Sequence, residues 1–343
     1  MVGRSLAGRR GWWGLSAEEF FAQFERQRRE DGAHTVLLSA EAFLGAVQPW
    51  DFDDAAAYRN AAREAVERLA LLVAGATVTV IVYLRRQDHW LESAMNQNIK
   101  FGGLVGGDLA TLTAEQAAAV YAPRLDYAAT LNMWAEVFGI PAIRVGVYER
   151  DQLVDGDVVS DFLGRCGIER SYLREPTWNQ ASRNEALPRD VLEVKRILNA
   201  IPKPKYEERV LVETLRAVAR DMGGRSASEP SLLPCATRRK VLERHADGNA
   251  AVARTFLGHE DGTLFLEAWP ETDDPAGEYT GLSTETALEI ELRLDRYWRS
   301  PGNRLRLFRH WVAERLRRRQ PTAHAAARTL RALALRAAPR RRS

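Results

Sequence analysis

The sequence predicts an α/β fold, a parallel sheet covered by helices in three layers, with a helical C-terminal part. Three observations point to it. Ala76–Leu84, ATVTVIVYL, is β-branched or apolar at nearly every position, as expected of a strand buried on both faces. Ala142–Tyr148 repeats that composition, and stretches of helical periodicity alternate with the strand-like runs.

Taken in order, Ser16 and Glu19 form a capping box for a helix through about Arg29, with Phe20, Phe21 and Phe24 on its buried side. His34–Ser39 reads as a short buried strand, which puts Glu41 at a strand's carboxyl end. Asp54–Val73 is an amphipathic helix, so strand, helix and strand form a right-handed parallel crossover ending in Ala76–Leu84. Polarity then switches at Arg85, Arg86 and Gln87, and Asp88 is an N-cap for a helix carrying Trp90, Ser93, Ala94 and Gln97. Gly102–Gly107 is a glycine-rich bend, and Lys100 before it could reach an anion or simply stay solvated. Asp126–Phe138 and Asp157–Cys166 are helices flanking the Ala142–Tyr148 strand. Asn179–Leu187 is a polar loop, followed by helices at Val191–Leu198, Arg209–Met222 and Arg238–His245.

This pattern divides the chain into an α/β nucleotide-binding-like core (1–175), a helical cap (176–265), an acidic linker (266–284) and a basic amphipathic helical tail (285–343). The net charge of +3 hides an asymmetry, because residues 291–343 hold 16 Arg against three acids. The preceding 290 residues hold 33 basic and 43 acidic side chains, so the core is acidic and the end basic. Arginines alternating with Leu305, Leu307, Phe308, Trp311 and Leu316 suit peripheral contact with an anionic membrane; a solvated tail is the alternative, and nucleic acid is not the expected partner.

Without a long apolar run or a signal-peptide pattern, the expected location is the cytoplasm, with membrane contact at its inner face. Cys166 and Cys235 read as reduced structural thiols, and the six scattered histidines suggest no metal site.

Open α/β sheets place ligands beyond the carboxyl ends of their strands. There Arg85 or Arg86, a helix start and the Ser93 hydroxyl could converge on one anionic group, a phosphate best of all; solvated strand-end charges are the alternative. An arginine followed eight positions later by a serine across a strand-to-helix turn resembles the 3′-phosphate-binding segment of sulfotransferases. The wording YLRRQDHWLESAMNQ is similar to bacterial sulfotransferase-like proteins associated with surface polysaccharides. Tyr127–Ile168 and His245–Gly258 extend the resemblance, which spans roughly residues 34–265.

The resemblance implies a fold related to the P-loop nucleotide-binding class and the co-substrate 3′-phosphoadenosine 5′-phosphosulfate, with no metal. It implies transfer of a sulfuryl group to a hydroxyl of a carbohydrate or glycolipid. Arg85, or Arg86 in its place, and Ser93 would hold the 3′-phosphate. Glu41, with His34 behind it, would be the base that deprotonates the acceptor, or Glu41 would merely cap the next helix.

The family holds the 5′-phosphosulfate in a Lys-x-Gly-Thr-Thr-like loop, and Met1–Glu41 contains none. Such a loop neutralises charge on the bridging oxygen, and losing even one donor of this kind costs roughly a hundredfold in rate. Three expectations follow: a start upstream of Met1, a catalytically inactive relative that binds or scaffolds at the membrane surface, or an interaction protein in which Arg85 and Ser93 are incidental.

Overall fold

The computed structural model describes residues 16–39, 47–52, 54–105, 109, 111–168, 187–200, 205–224, 231–271, 279 and 281–302. The chain divides into two compact units, interleaved along the sequence. The first comprises 1–92, 113–182 and 233–275; the second comprises 93–112, 183–232 and 276–343.

The first unit is built around two parallel strands, β1 (Val80–Leu84) and β2 (Ile143–Val147), with Val80 opposite Ile143 and Leu84 opposite Val147. Helix α1 (Ala17–Glu30) starts from the Ser16/Glu19 capping box, and α2 (Ala55–Leu72) from Asp54, whose carboxylate accepts the amides of Ala56 and Ala57. Next come α3 (Gln87–Val105), α4 (Ala114–Leu125), α5 (Tyr127–Phe138) and α6 (Val158–Cys166). A later helix, α9 (Cys235–Val252), ends in a π-helical turn at Ala253–Leu257. The core joins Val82, Leu84, Val145 and Val147 to Ala65, Val66 and Leu69 of α2, Leu131 and Trp134 of α5, Phe21 of α1 and Val252 of α9. Apolar burial against one face of this small sheet supplies the main driving force.

The second unit contains the part of α3 beyond Glu92, α7 (Arg189–Asn199), α8 (Lys205–Asp221) and α10 (Thr284–Arg299). Leu192, Val210, Leu215, Val218 and Ile290 are buried, and α10 packs on α7 and α8. Lys195 and Glu208 form an ion pair at 2.5 Å with both side chains out of solvent. The Asn199 side-chain amide donates to the carbonyl of Ile99 at 2.9 Å.

The three-layer parallel sheet expected from the sequence is not what the chain forms. Among the described residues the sheet has two strands, and helices make up most of both units. His34–Ser39, expected as a buried strand, pairs with no strand; Val36 is 38% and Leu37 54% exposed, and Leu38 packs against the core. An apolar run of that length becomes a strand only where a neighbouring backbone accepts its hydrogen bonds. For the same reason Ala76–Leu84 is strand only from Val80, the residue at which β2 begins to pair. Burial within β1 is uneven, with Val82 and Leu84 enclosed and Val80, Ile81 and Tyr83 half-buried.

The expected crossover into β1 from His34–Ser39 therefore does not exist, and the parallel pairing joins β1 to β2 across residues 85–142. The glycine-rich bend does not begin at Gly102 either, since α3 continues through Val105 with a kink at Phe101 (φ −115°, ψ 21°). Glu41, residues 179–186 and the arginine-rich stretch from residue 303 lie outside the described residues. No helix among the described residues is long and apolar enough to cross a membrane.

Candidate functional site

The carboxyl ends of β1 and β2 bring Arg85 and Arg86 beside Tyr148 and Glu149. The two arginines diverge in role because successive residues of an extended chain point to opposite sides.

Arg86 turns inward, with only 1% of its side chain exposed. Its Nε and Nη2 donate to the two carboxylate oxygens of Asp88 at 2.8 and 3.0 Å. Its Nη1 donates to the carbonyls of Glu267 (3.0 Å) and Ala268 (2.8 Å), and the Glu267 carboxylate lies 3.0 Å from Nη2. A buried guanidinium is tolerated only when its donors are met in this way.

Asp88 lies inside α3 as its second residue. Its carboxylate takes Arg86 and, at 2.7 and 2.9 Å, the guanidinium of Arg238 from α9, so it is not the N-cap expected from the sequence. Burial alone would raise its pKa; hydrogen bonds from Arg86 and the charges of His89, Arg86 and Arg238 outweigh that and hold it below the ordinary value.

Arg85 is half-buried, with its guanidinium 6.0 Å from the centre of the Tyr148 ring. No carboxylate among the described residues forms an ion pair with it. Its backbone carbonyl accepts the hydroxyl of Tyr127 at 2.6 Å, which fixes the chain at the strand end. Burial pushes the Tyr127 hydroxyl well above its ordinary pKa, keeping it protonated as the donor. Gln87 and Asn249 exchange two amide hydrogen bonds at 2.6 and 3.1 Å and tie the start of α3 to α9.

A segment without regular structure, Leu264–Pro270, is strapped onto this edge. Gln152 donates to the carbonyl of Leu264 (3.0 Å), and the Leu266 amide donates to Glu149 (2.8 Å). Arg86 holds the carbonyls of Glu267 and Ala268, the Glu267 carboxylate meets His89 at 2.8 Å, and Arg239 reaches the carbonyl of Pro270 at 3.1 Å.

Of the candidate site residues named from the sequence, Arg85 and Arg86 are placed at this edge, and Glu41 lies outside the described residues. Ser93 is a half-buried residue of α3 that belongs to the second unit, as does Lys100, which is buried with its ammonium 5.4 Å from the Phe101 ring centre. His34 is exposed. Both cysteines are free thiols, and the described residues contain no group of three potential metal ligands. Sequence reasoning missed Asp88 as an ion-pair centre, together with His89, Arg238 and Glu267. Glu267 is 178 positions from His89 and lay in a stretch read as an acidic linker, so no local pattern joined them.

No family model and no solved structure matches the chain. A curated relative from Archaeoglobus fulgidus, described as an uncharacterized protein, is 28% identical over 192 residues. The match covers 55% of this chain and 48% of the relative, so it spans about half the length of that protein.

Proposed function

We propose that this chain is a sulfotransferase-like protein that binds the 3′-phosphate of 3′-phosphoadenosine 5′-phosphosulfate, or of the product adenosine 3′,5′-bisphosphate, through Arg85. The observation that carries the reading is the division of labour between adjacent arginines. Arg86 is consumed by Asp88 and the strap, whereas Arg85 stands half-buried at the strand's carboxyl end without a carboxylate partner among the described residues. A charge left in that position favours a phosphate ligand. Ser93 enters the proposal through the sequence resemblance alone.

In the transfer, an acceptor hydroxyl oxygen attacks sulfur, the bond from sulfur to the phosphate's bridging oxygen breaks, and the acceptor proton passes to a base. The products are a sulfate ester and adenosine 3′,5′-bisphosphate. Glu41 is the base candidate, and a hydroxyl of a carbohydrate or glycolipid the acceptor, at the cytoplasmic face of a membrane reached through the basic tail.

A second reading, a relative that binds nucleotide or scaffolds at the membrane surface without transferring sulfate, is favoured by the described sheet, which has two strands.

Calorimetric titration of the full chain with adenosine 3′,5′-bisphosphate tests the shared core of both readings. Arg85→Ala is expected to weaken binding by about tenfold or more, the worth of a charge-assisted hydrogen bond. Equal affinity of wild type and Arg85→Ala would remove Arg85 from the site. A radiolabelled sulfate-transfer assay with polysaccharide acceptors then separates transfer from binding.

A further inference from the structure

We propose that the carboxylate of Glu267 is a built-in competitor, occupying an oxyanion subsite formed by Arg86 and His89 that a phosphate or sulfate group takes over when ligand binds. The inference rests on the reading that this strand edge receives an anionic nucleotide, and it adds how that edge is kept closed without one.

Arg86 and Arg238 converge on the single carboxylate of Asp88, with side-chain exposures of 1%, 17% and 0%. Two guanidiniums against one carboxylate leave an excess positive charge in a largely desolvated place, where an uncompensated charge is expensive. Glu267 supplies the balance, lying 3.0 Å from Arg86 Nη2 and 2.8 Å from His89 Nε2.

Glu267 is also the exchangeable member of the group. Its side chain is 48% exposed and His89 is 28% exposed, so the subsite opens to solvent at these two residues. Withdrawing the carboxylate would leave Arg86 with four hydrogen bonds, two to Asp88 and two to the carbonyls of Glu267 and Ala268. The strap backbone can therefore stay in place while the carboxylate swings outward. An incoming oxyanion restores the charge balance and meets the same two donors, the spare face of the Arg86 guanidinium and His89 Nε2. A dianion would compensate more charge than the carboxylate it replaces, which favours phosphate over a carboxylic acid as the displacing ligand.

The contact is a brake on binding at the Arg86 and His89 subsite itself, because the Glu267 carboxylate already holds the two donors an oxyanion would use there. Removing the carboxylate should strengthen oxyanion binding, whereas removing a structural ion pair would leave binding unchanged and lower only stability.

The test is calorimetry on the full chain with two probes, inorganic phosphate and adenosine 3′,5′-bisphosphate, for wild type, Glu267→Gln, Glu267→Ala and Arg85→Ala. Both Glu267 variants are expected to bind each probe about tenfold more tightly than wild type, the value of one competing charge-assisted contact. Unchanged or weaker affinity in both Glu267 variants overturns the proposal, as does the absence of binding to any of the four proteins. The Arg85→Ala arm reports on the nucleotide reading separately. Tighter phosphate binding by the Glu267 variants together with an unaffected Arg85→Ala keeps the competitor and discards Arg85. Loss of nucleotide binding in Arg85→Ala together with unmoved Glu267 variants does the reverse.

Discussion

Arg86 and Asp88 form a two-pronged ion pair with both side chains out of solvent, and Asp88 at the same time receives Arg238 from α9. Asp88 is thus the anion on which two chain segments 150 positions apart are fastened. Asp88→Asn keeps the shape and removes the charge, leaving two guanidiniums facing a neutral amide. Removing one partner of a buried ion pair costs about 3–5 kcal/mol. Urea unfolding of the full chain should show a loss of that size; a loss below about 1 kcal/mol, the worth of an exposed pair, would mean that the network does not hold the fold.

The same residue gives a pH dependence with a definite sign. Asp88 titrates below its ordinary value in the folded protein, so its contribution is fully present above the unfolded pKa and is lost as pH falls through the folded one. The difference in stability between wild type and Asp88→Asn should stay constant from neutral pH down to about pH 5 and shrink below about pH 4, near the ordinary carboxylate value. Urea midpoints measured at several pH values for the two proteins check this, and a gap that widened on acidification would contradict the direction.

Gly146 is required by the ring of Tyr83, its partner across the two strands. A Cβ at position 146 would lie 2.5 Å from Cε1 and 2.7 Å from Cδ1 of that ring, on whose face Arg165 also sits at 5.7 Å. Gly146→Ala must push the ring aside, and overpacking of this kind costs about 1–3 kcal/mol. In a Tyr83→Ala background the ring that the added methyl meets is gone, so the penalty should fall. Thermal unfolding of the two single variants and the double variant measures the coupling, and additive losses would show that the ring is not the obstacle.

These relationships also show what the sequence could and could not reveal. Helices with side-chain caps were legible because their determinants are local: Ser16 with Glu19 opens α1 and Asp54 opens α2. The β1 and β2 runs stood out by composition, yet composition alone could not give the number of strands. His34–Ser39 has strand-like residues and finds no partner, and whether a partner exists is a property of the fold. At the candidate site, the arginine pair at the strand end was visible as a polarity switch. Which arginine turned inward was not, because that is decided by Asp88, Arg238 and the strap carbonyls, two of them supplied from beyond position 230.

The second unit offers an independent case of a buried charge pair. Lys195 and Glu208 lie 2.5 Å apart, exposed by 0% and 2%, and the Lys195 ammonium also contacts the Asn199 side chain. Lys195→Met removes the cation and leaves Glu208 buried, which should cost about 3–5 kcal/mol. Glu208→Leu alone strands the lysine at a similar cost. Replacing both removes the desolvation penalty of two ions together with their attraction, an exchange that is often neutral or stabilising. The double variant should therefore be more stable than either single one and close to wild type. Chemical unfolding of the full chain, followed by helical circular dichroism, reads all four proteins. Two single losses that simply add in the double variant would show that the pair is not coupled, and that each side chain is held by its other contacts.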